Sequence, residues 1–126
     1  MPAQTITGEL IADALIGGGT YTAFNNANAY LGVGNGTTAH NAAQTDLQGA
    51  SKTRKAMDAT YPSRSTNVAT FRSTFGTTDA NHAWDEWGVF NHASAGQMML
   101  REVEALGTKT SSATWQLTVA LTFNAA

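Results

Sequence analysis

Thr114-Trp115-Gln116-Leu117-Thr118-Val119-Ala120-Leu121-Thr122-Phe123 is the stretch that decides the fold. Trp115, Leu117, Val119, Leu121 and Phe123 fall on one side of a period-two ribbon, and Thr114, Gln116, Thr118, Ala120 and Thr122 fall on the other. Such alternation marks a half-buried β-strand. β-Branched and aromatic residues favour the extended form, and no Gly or Pro interrupts the run. The expected frame is therefore a sheet whose inner face runs from Trp115 to Phe123.

Working outward, Lys52 to Tyr61 reads as a strand ending at Pro62, and Ser63 to Asn67 as the turn into Val68 to Phe75, so a hairpin is expected. In its second strand Ala69, Phe71, Ser73 and Phe75 point inward, opposite Val68, Thr70, Arg72 and Thr74. Ala29 to Val33 reads as the first strand, with Gly34-Asn35-Gly36 turning the chain. Thr37 to Gly49 is a polar, Ala-rich loop in which one helical turn is expected over Gln44 to Gln48. In Trp84 to Phe90, Trp84, Glu86 and Gly88 alternate against Asp85, Trp87 and Val89. Neither face is cleanly apolar, so one ring is expected inside and the other at a contact. Asn91 to Gly96 then turns into Gln97 to Val103, and Gly107 to Ala113 leads to the last strand. These elements imply an all-β fold, a small antiparallel β-sandwich or open barrel with a short N-terminal helix or arm.

That N-terminal segment, residues 1–19, is set apart from a single β-domain at 20–126. Ile6, Leu10, Ile11, Ala14 and Leu15 recur at helical spacing and stop at Gly17-Gly18-Gly19. The stripe either covers one end of the sheet or docks as an arm on another subunit. Leu10, Ile11 and Leu15, with Trp84 and Trp87, are the candidate interface residues.

Seven Lys and Arg against nine Asp and Glu leave a net charge of −2, and charged residues are only 13% of the chain. Nothing in that total announces nucleic acid or a membrane surface as partner. With so few charges the polar surface is built from Thr, Asn, Ser and Gln, which are cheaper to desolvate at a contact. The absence of cysteine removes disulfides, thiolate catalysis and Cys-ligated zinc. Lys52, Arg54, Lys55, Arg64 and Arg72 cluster in one region, and Asp79, Asp85, Glu86, Glu102 and Glu104 in the next. They pair either across neighbouring strands or as a two-signed surface on an adjacent subunit.

No catalytic, cofactor-binding or metal-ligating set is read from the chain. Gly32-Val33-Gly34-Asn35-Gly36-Thr37 has neither the GxGxxG spacing nor the Lys-Ser/Thr ending of a phosphate loop. His82 and His92 lie near Asp79, Asp85 and Glu86 in sequence, but not at the spacing of a helical metal motif. Ser94 lacks a nucleophile elbow, and adjacent Asp85 and Glu86 would point to opposite faces of a strand, unlike a glycosidase pair. A non-enzymatic role is expected.

Five runs carry a resemblance: Leu31 to Ala39, Gln44 to Leu47, Arg54 to Asp58, Glu86-Trp87-Gly88-Val89-Phe90, and Leu106-Gly107-Thr108-Lys109-Thr110. From about Leu31 to Phe123 the chain resembles a group of small tailed-bacteriophage virion structural proteins. In part it is similar to the N-terminal attachment domain of phage tail-collar fibres. The resemblance implies a capsid decoration (cement) protein on the outer surface of the shell, with the major capsid protein as partner, and self-association into a homo-oligomer is expected. Its place would be the virion, after synthesis in the host cytoplasm. The alternatives are a tail-fibre or baseplate attachment protein, and a carbohydrate-binding β-module using exposed Trp84 or Trp87.

Overall fold

The computed structural model describes residues 3–4, 16 and 22–124, with backbone alone at 3–4. Its strands are β1 (Ala3–Gln4), β2 (Tyr30–Gly34), β3 (Lys52–Ala56), β4 (Ser63–Ser65), β5 (Val68–Phe75), β6 (Ala83–Phe90), β7 (Met98–Thr108) and β8 (Trp115–Thr122). They form a five-stranded sheet, β1-β7-β6-β2-β3, and a three-stranded sheet, β4-β5-β8, with every pairing antiparallel. The two sheets pack face to face as a small β-sandwich, as the alternating strands predict.

The main core lies between the sheets. Leu31 and Val33 of β2, Trp87 and Val89 of β6 and Leu100 of β7 meet Phe71 and Phe75 of β5 and Val119 and Leu121 of β8. Trp84 stands at one end, edge-on to Phe75 at 4.9 Å and to Trp115 at 5.0 Å, an arrangement that suits the aromatic quadrupoles. Its indole N–H donates to the Ala80 carbonyl at 3.0 Å, so the ring is buried without an orphaned donor.

β8 alternates as its sequence requires, Gln116, Thr118, Ala120 and Thr122 being exposed while Val119 and Leu121 are buried. The apolar row nevertheless ends at Leu121. Phe123, expected on the inner face, follows the last residue of β8 and is 53% exposed. In β5, Phe71, Ser73 and Phe75 are buried as expected.

The expected hairpin between Lys52–Tyr61 and Val68–Phe75 is corrected. β3 ends at Ala56 and pairs with β2 in the larger sheet, and the partner of β5 is the short β4. Residues 57–62 instead carry the chain from one sheet to the other. Asp58 anchors this crossing: its N–H donates to the Arg72 carbonyl at 2.8 Å, and its carboxylate accepts from Arg72 Nε at 2.9 Å and Thr74 Oγ1 at 2.8 Å. The Tyr61–Pro62 peptide is cis.

Two further expectations are corrected. Residues 44–48 contain no helical turn; the Leu47 and Gln48 amides bond to the Asp46 and Glu86 side chains instead. Trp84 and Trp87 do not face different partners, since both join the main core at 2% and 8% exposure. The strand register shifts between Trp84 and Glu86, so strict alternation is broken between the two rings. The N-terminal helix over residues 5–16, with Leu10, Ile11 and Leu15, lies outside the described residues apart from the exposed Ile16.

Candidate functional site

The outer face of the five-stranded sheet is built from small residues. Gly32 and Gly34 of β2 and Gly88 of β6 share it with Glu86 and Phe90, and the loop 35–51 folds back over it. Phe90 and Leu47, with Met98, fill the space above the glycines as a second, smaller apolar cluster. A Cβ at Gly32 would stand 2.7 Å from the Phe90 ring, and one at Gly34 would stand 2.5 Å from Glu86 Oε2. These glycines leave room for what lies on the sheet.

Glu86 is fully buried at the centre of this layer. Its Oε2 accepts from the Gly36 N–H at 3.0 Å and the Gly49 N–H at 2.7 Å, and its Oε1 accepts from the Gln48 N–H at 2.8 Å. The glycine-rich stretch therefore does cradle an anion, but the anion is the protein's own carboxylate. Gly36 and Gly49 can approach so closely only because neither has a side chain: a Cβ on Gly36 would meet both Glu86 Oε2 and the Gly49 nitrogen at 2.5 Å. Asn35 closes the base of the loop, its N–H donating to Ser51 O at 3.0 Å and its Oδ1 accepting from Ser51 N–H at 3.0 Å.

The counter-charge comes from Arg101, also fully buried, one strand away on β7. Its Nε donates to Glu86 Oε1 at 2.7 Å, Nη1 to Gln44 Oε1 at 3.1 Å and Nη2 to the Thr38 carbonyl at 2.9 Å. Both ends of the loop are thus bonded to one charge pair. A second arginine fastens the middle. Arg54 lies 3.6 Å over the Phe90 ring, donates to the carbonyls of His92 and Ala95, and reaches Asp46 at 3.2 Å. Asp46 also pairs with Lys52 at 2.8 Å. Burial pushes the Asp46 carboxyl up, but the hydrogen bonds from Lys52, the Leu47 N–H and Arg54 outweigh it and hold the group below its usual range.

Several further ionisable groups are likewise turned to the protein's own structure. Lys109 is buried at the start of the β7–β8 connection and donates to Gly76 O at 2.6 Å and Asn81 Oδ1 at 2.8 Å, fixing the β5–β6 loop. Lys55 pairs with Asp79 at 2.9 Å, which makes it the one expected cross-region pair among those named that forms. The hydrogen bond from Lys55 and that from the Gly76 N–H hold the Asp79 carboxyl low. His82 Nδ1 donates to the Ala83 carbonyl at 2.9 Å, and its Nε2 is hydrogen-bonded with the Thr53 hydroxyl at 3.1 Å. His92 Nδ1 accepts from Ser94 and Ala95 N–H within its own turn. Among the described residues no group of three His, Asp or Glu side chains is close enough to hold a metal ion.

Of the residues singled out from sequence, Trp84 and Trp87 are brought together inside the core, where neither presents a ring face to a glycan. The Trp87 indole donates to Glu104 at 3.0 Å. The lock formed by Glu86 and Arg101 was not foreseen. Its traces in the sequence are the acidic pair Asp85-Glu86 between two tryptophans, a lone arginine after Met98-Met99-Leu100, and the glycines at 34, 36 and 49. Among the described residues two hollows open at the surface. One, of about 220 Å³, is lined by Asp46, Lys52, Thr53 and Arg54, whose charges are already paired; the other, of about 500 Å³, lies beside Trp115, Leu117 and Leu106. Comparison of the chain with protein-family models, curated proteins and solved structures finds no match.

Proposed function

We propose that the protein is a non-enzymatic structural component of a phage virion, a decoration protein that binds the outer surface of the capsid shell and stabilises it. The observation that carries this reading is the use made of the buried charges. Glu86, Arg101 and Lys109 are directed at the protein's own backbone, where they fix loops, and among the described residues none of them lines either of the two surface hollows. An enzyme of this size would normally aim at least one such group into a cleft. The resemblance of five sequence runs to small virion proteins supplies the setting, and a surface poor in charge suits a protein that packs against neighbours.

Abundance tests the reading. A decoration protein occupies lattice sites over the whole shell, whereas a tail-fibre or baseplate attachment protein occupies one ring or vertex. Quantitative mass spectrometry of purified virions should find the protein at the same order of abundance as the major capsid protein. A handful of copies per particle would transfer it to the tail, and absence from virions would remove the structural reading altogether.

A further inference from the structure

The free strand edges of the sandwich are unequal. β1 has two residues, and β4 has three with Arg64 among them. β3 carries Lys52, Arg54 and Lys55 in five residues, and β7 beyond its pairing with β1 carries Glu102 and Glu104. Shortness and charge are the ordinary means of keeping an edge from pairing with another chain. β8 has neither. It is eight residues long, its outer neighbour position is empty among the described residues, and no charged residue occurs after Lys109.

The backbone groups facing that edge can be assigned. The Phe123 N–H donates to the Asn67 carbonyl at 2.9 Å and the Phe123 carbonyl accepts from Asn67 Nδ2 at 3.0 Å, so odd-numbered residues bond toward β5. By the two-residue period, the N–H and C=O of Gln116, Thr118, Ala120 and Thr122 point to the open edge.

We propose that this edge pairs with the same edge of a second copy, β8 antiparallel to β8 about a two-fold axis centred on Val119. That register sets Thr118 opposite Ala120 and Gln116 opposite Thr122 of the other copy, joining all four outward residues by about eight backbone hydrogen bonds. No like charges meet. It also places Phe123 of each copy opposite Trp115 of the other, at a position where side chains approach closely. Phe123 is 53% exposed and Trp115 half-buried beside the 500 Å³ hollow, so each apolar side chain gains the cover that it lacks in one copy. The two three-stranded sheets become one of six strands. The proposal is independent of where the protein works.

The test is sedimentation equilibrium of the full chain with three variants. The wild type should be a dimer at tens of micromolar, Phe123→Ser should weaken it at least about ten-fold, and Thr118→Lys should give monomers by placing ammonium groups across the two-fold. Ser63→Lys, an exposed position on the opposite edge, should leave the dimer intact. A wild type that stays monomeric at about 100 μM, an assembly larger than a dimer, or a dimer that survives Thr118→Lys would overturn the proposal. Should Thr118→Lys fail to fold, Phe123→Ser decides alone: Phe123 touches water in the single copy, so an unchanged dimer refutes the pairing.

Discussion

The two faces of the five-stranded sheet are covered in opposite ways. On the inner face Leu31, Val33, Trp87 and Val89 meet another sheet, and burial of each large side chain contributes roughly 1.5 to 3 kcal/mol without demanding a particular partner. On the outer face the same strands present Gly32, Gly34, Gly88 and Glu86, and the cover is a loop with little apolar surface besides Leu47. A polar loop over a sheet has backbone groups to satisfy. Glu86 and Arg101 do so by accepting three loop N–H groups and donating to a loop carbonyl and the Gln44 side chain. The inner face tolerates approximation, whereas the outer one depends on a few bonds made together.

The largest expected effect follows from that dependence. Glu86→Ala should lose roughly 3 to 5 kcal/mol, because it leaves the Arg101 guanidinium buried without a counter-charge. Trp84→Ala on the inner side should lose a similar amount as a buried aromatic truncation. The two are separated by repair. A paired apolar replacement often restores an ordinary buried ion pair; here Glu86→Leu with Arg101→Met should fail to do so, because the amides of Gly36, Gln48 and Gly49 would stay unpaired at about 1 to 3 kcal/mol each. Recovery of wild-type stability in chemical denaturation would mean that the amides find other partners and that the lock is a plain ion pair.

A smaller effect sharpens the same contrast. Gly34→Ala should destabilise by about 1 to 3 kcal/mol, since its Cβ would press on the Glu86 carboxylate. Gly76→Ala, whose Cβ would meet only Asp79 at an ordinary 3.4 Å, should change thermal stability by less than about 1 kcal/mol. Equal losses at the two positions would show that backbone freedom, and not the space above Glu86, decides which glycines matter.

The smallest effect expected is on acid stability. Asp46 and Asp79 both have folded pKa values below the ordinary 3.8. A carboxyl lowered on folding contributes stability that is present above its unfolded pKa and is lost as pH falls through the folded value. Stability should therefore decline as pH drops below about 4, and Asp46→Asn should flatten that decline. A slope unchanged in Asp46→Asn would remove Asp46 from the loop's anchorage.

These contrasts also explain what could be read from the sequence. β8 and the inner face of β5 were legible because their partners are generic: Val119, Leu121, Phe71 and Phe75 need only an apolar neighbour, and alternation announces that. The strand at β3 was legible but its partner was not, since Lys52, Arg54 and Lys55 leave no apolar row and the true partner β2 precedes it across the loop that it helps to hold. Phe123 kept the alternation but lies past the end of β8 and is exposed. The lock was hidden for a further reason. Glu86 and Arg101 look like surface charges in a list of residues, and only the register that sets Gly88 opposite Arg101 puts both on one face with Gly34. Gly34 and Gly36 were visible but read as turn formers, and Gly49 as the end of a polar loop, because the carboxylate they admit lies more than thirty residues away.

The central claim is that the loop 35–51 is fixed to the sheet by the Glu86 carboxylate. Native-state hydrogen exchange of the Gly36, Gln48 and Gly49 amides tests it most directly, because surface loops exchange through local opening at little free-energy cost while locked segments exchange only when the fold opens. All three amides should be protected to a level near that of the β6 and β7 strand amides, and all three should lose that protection together in Glu86→Gln. Rapid exchange of these amides in the wild-type protein, at rates typical of exposed loop residues such as Thr45, would contradict the account.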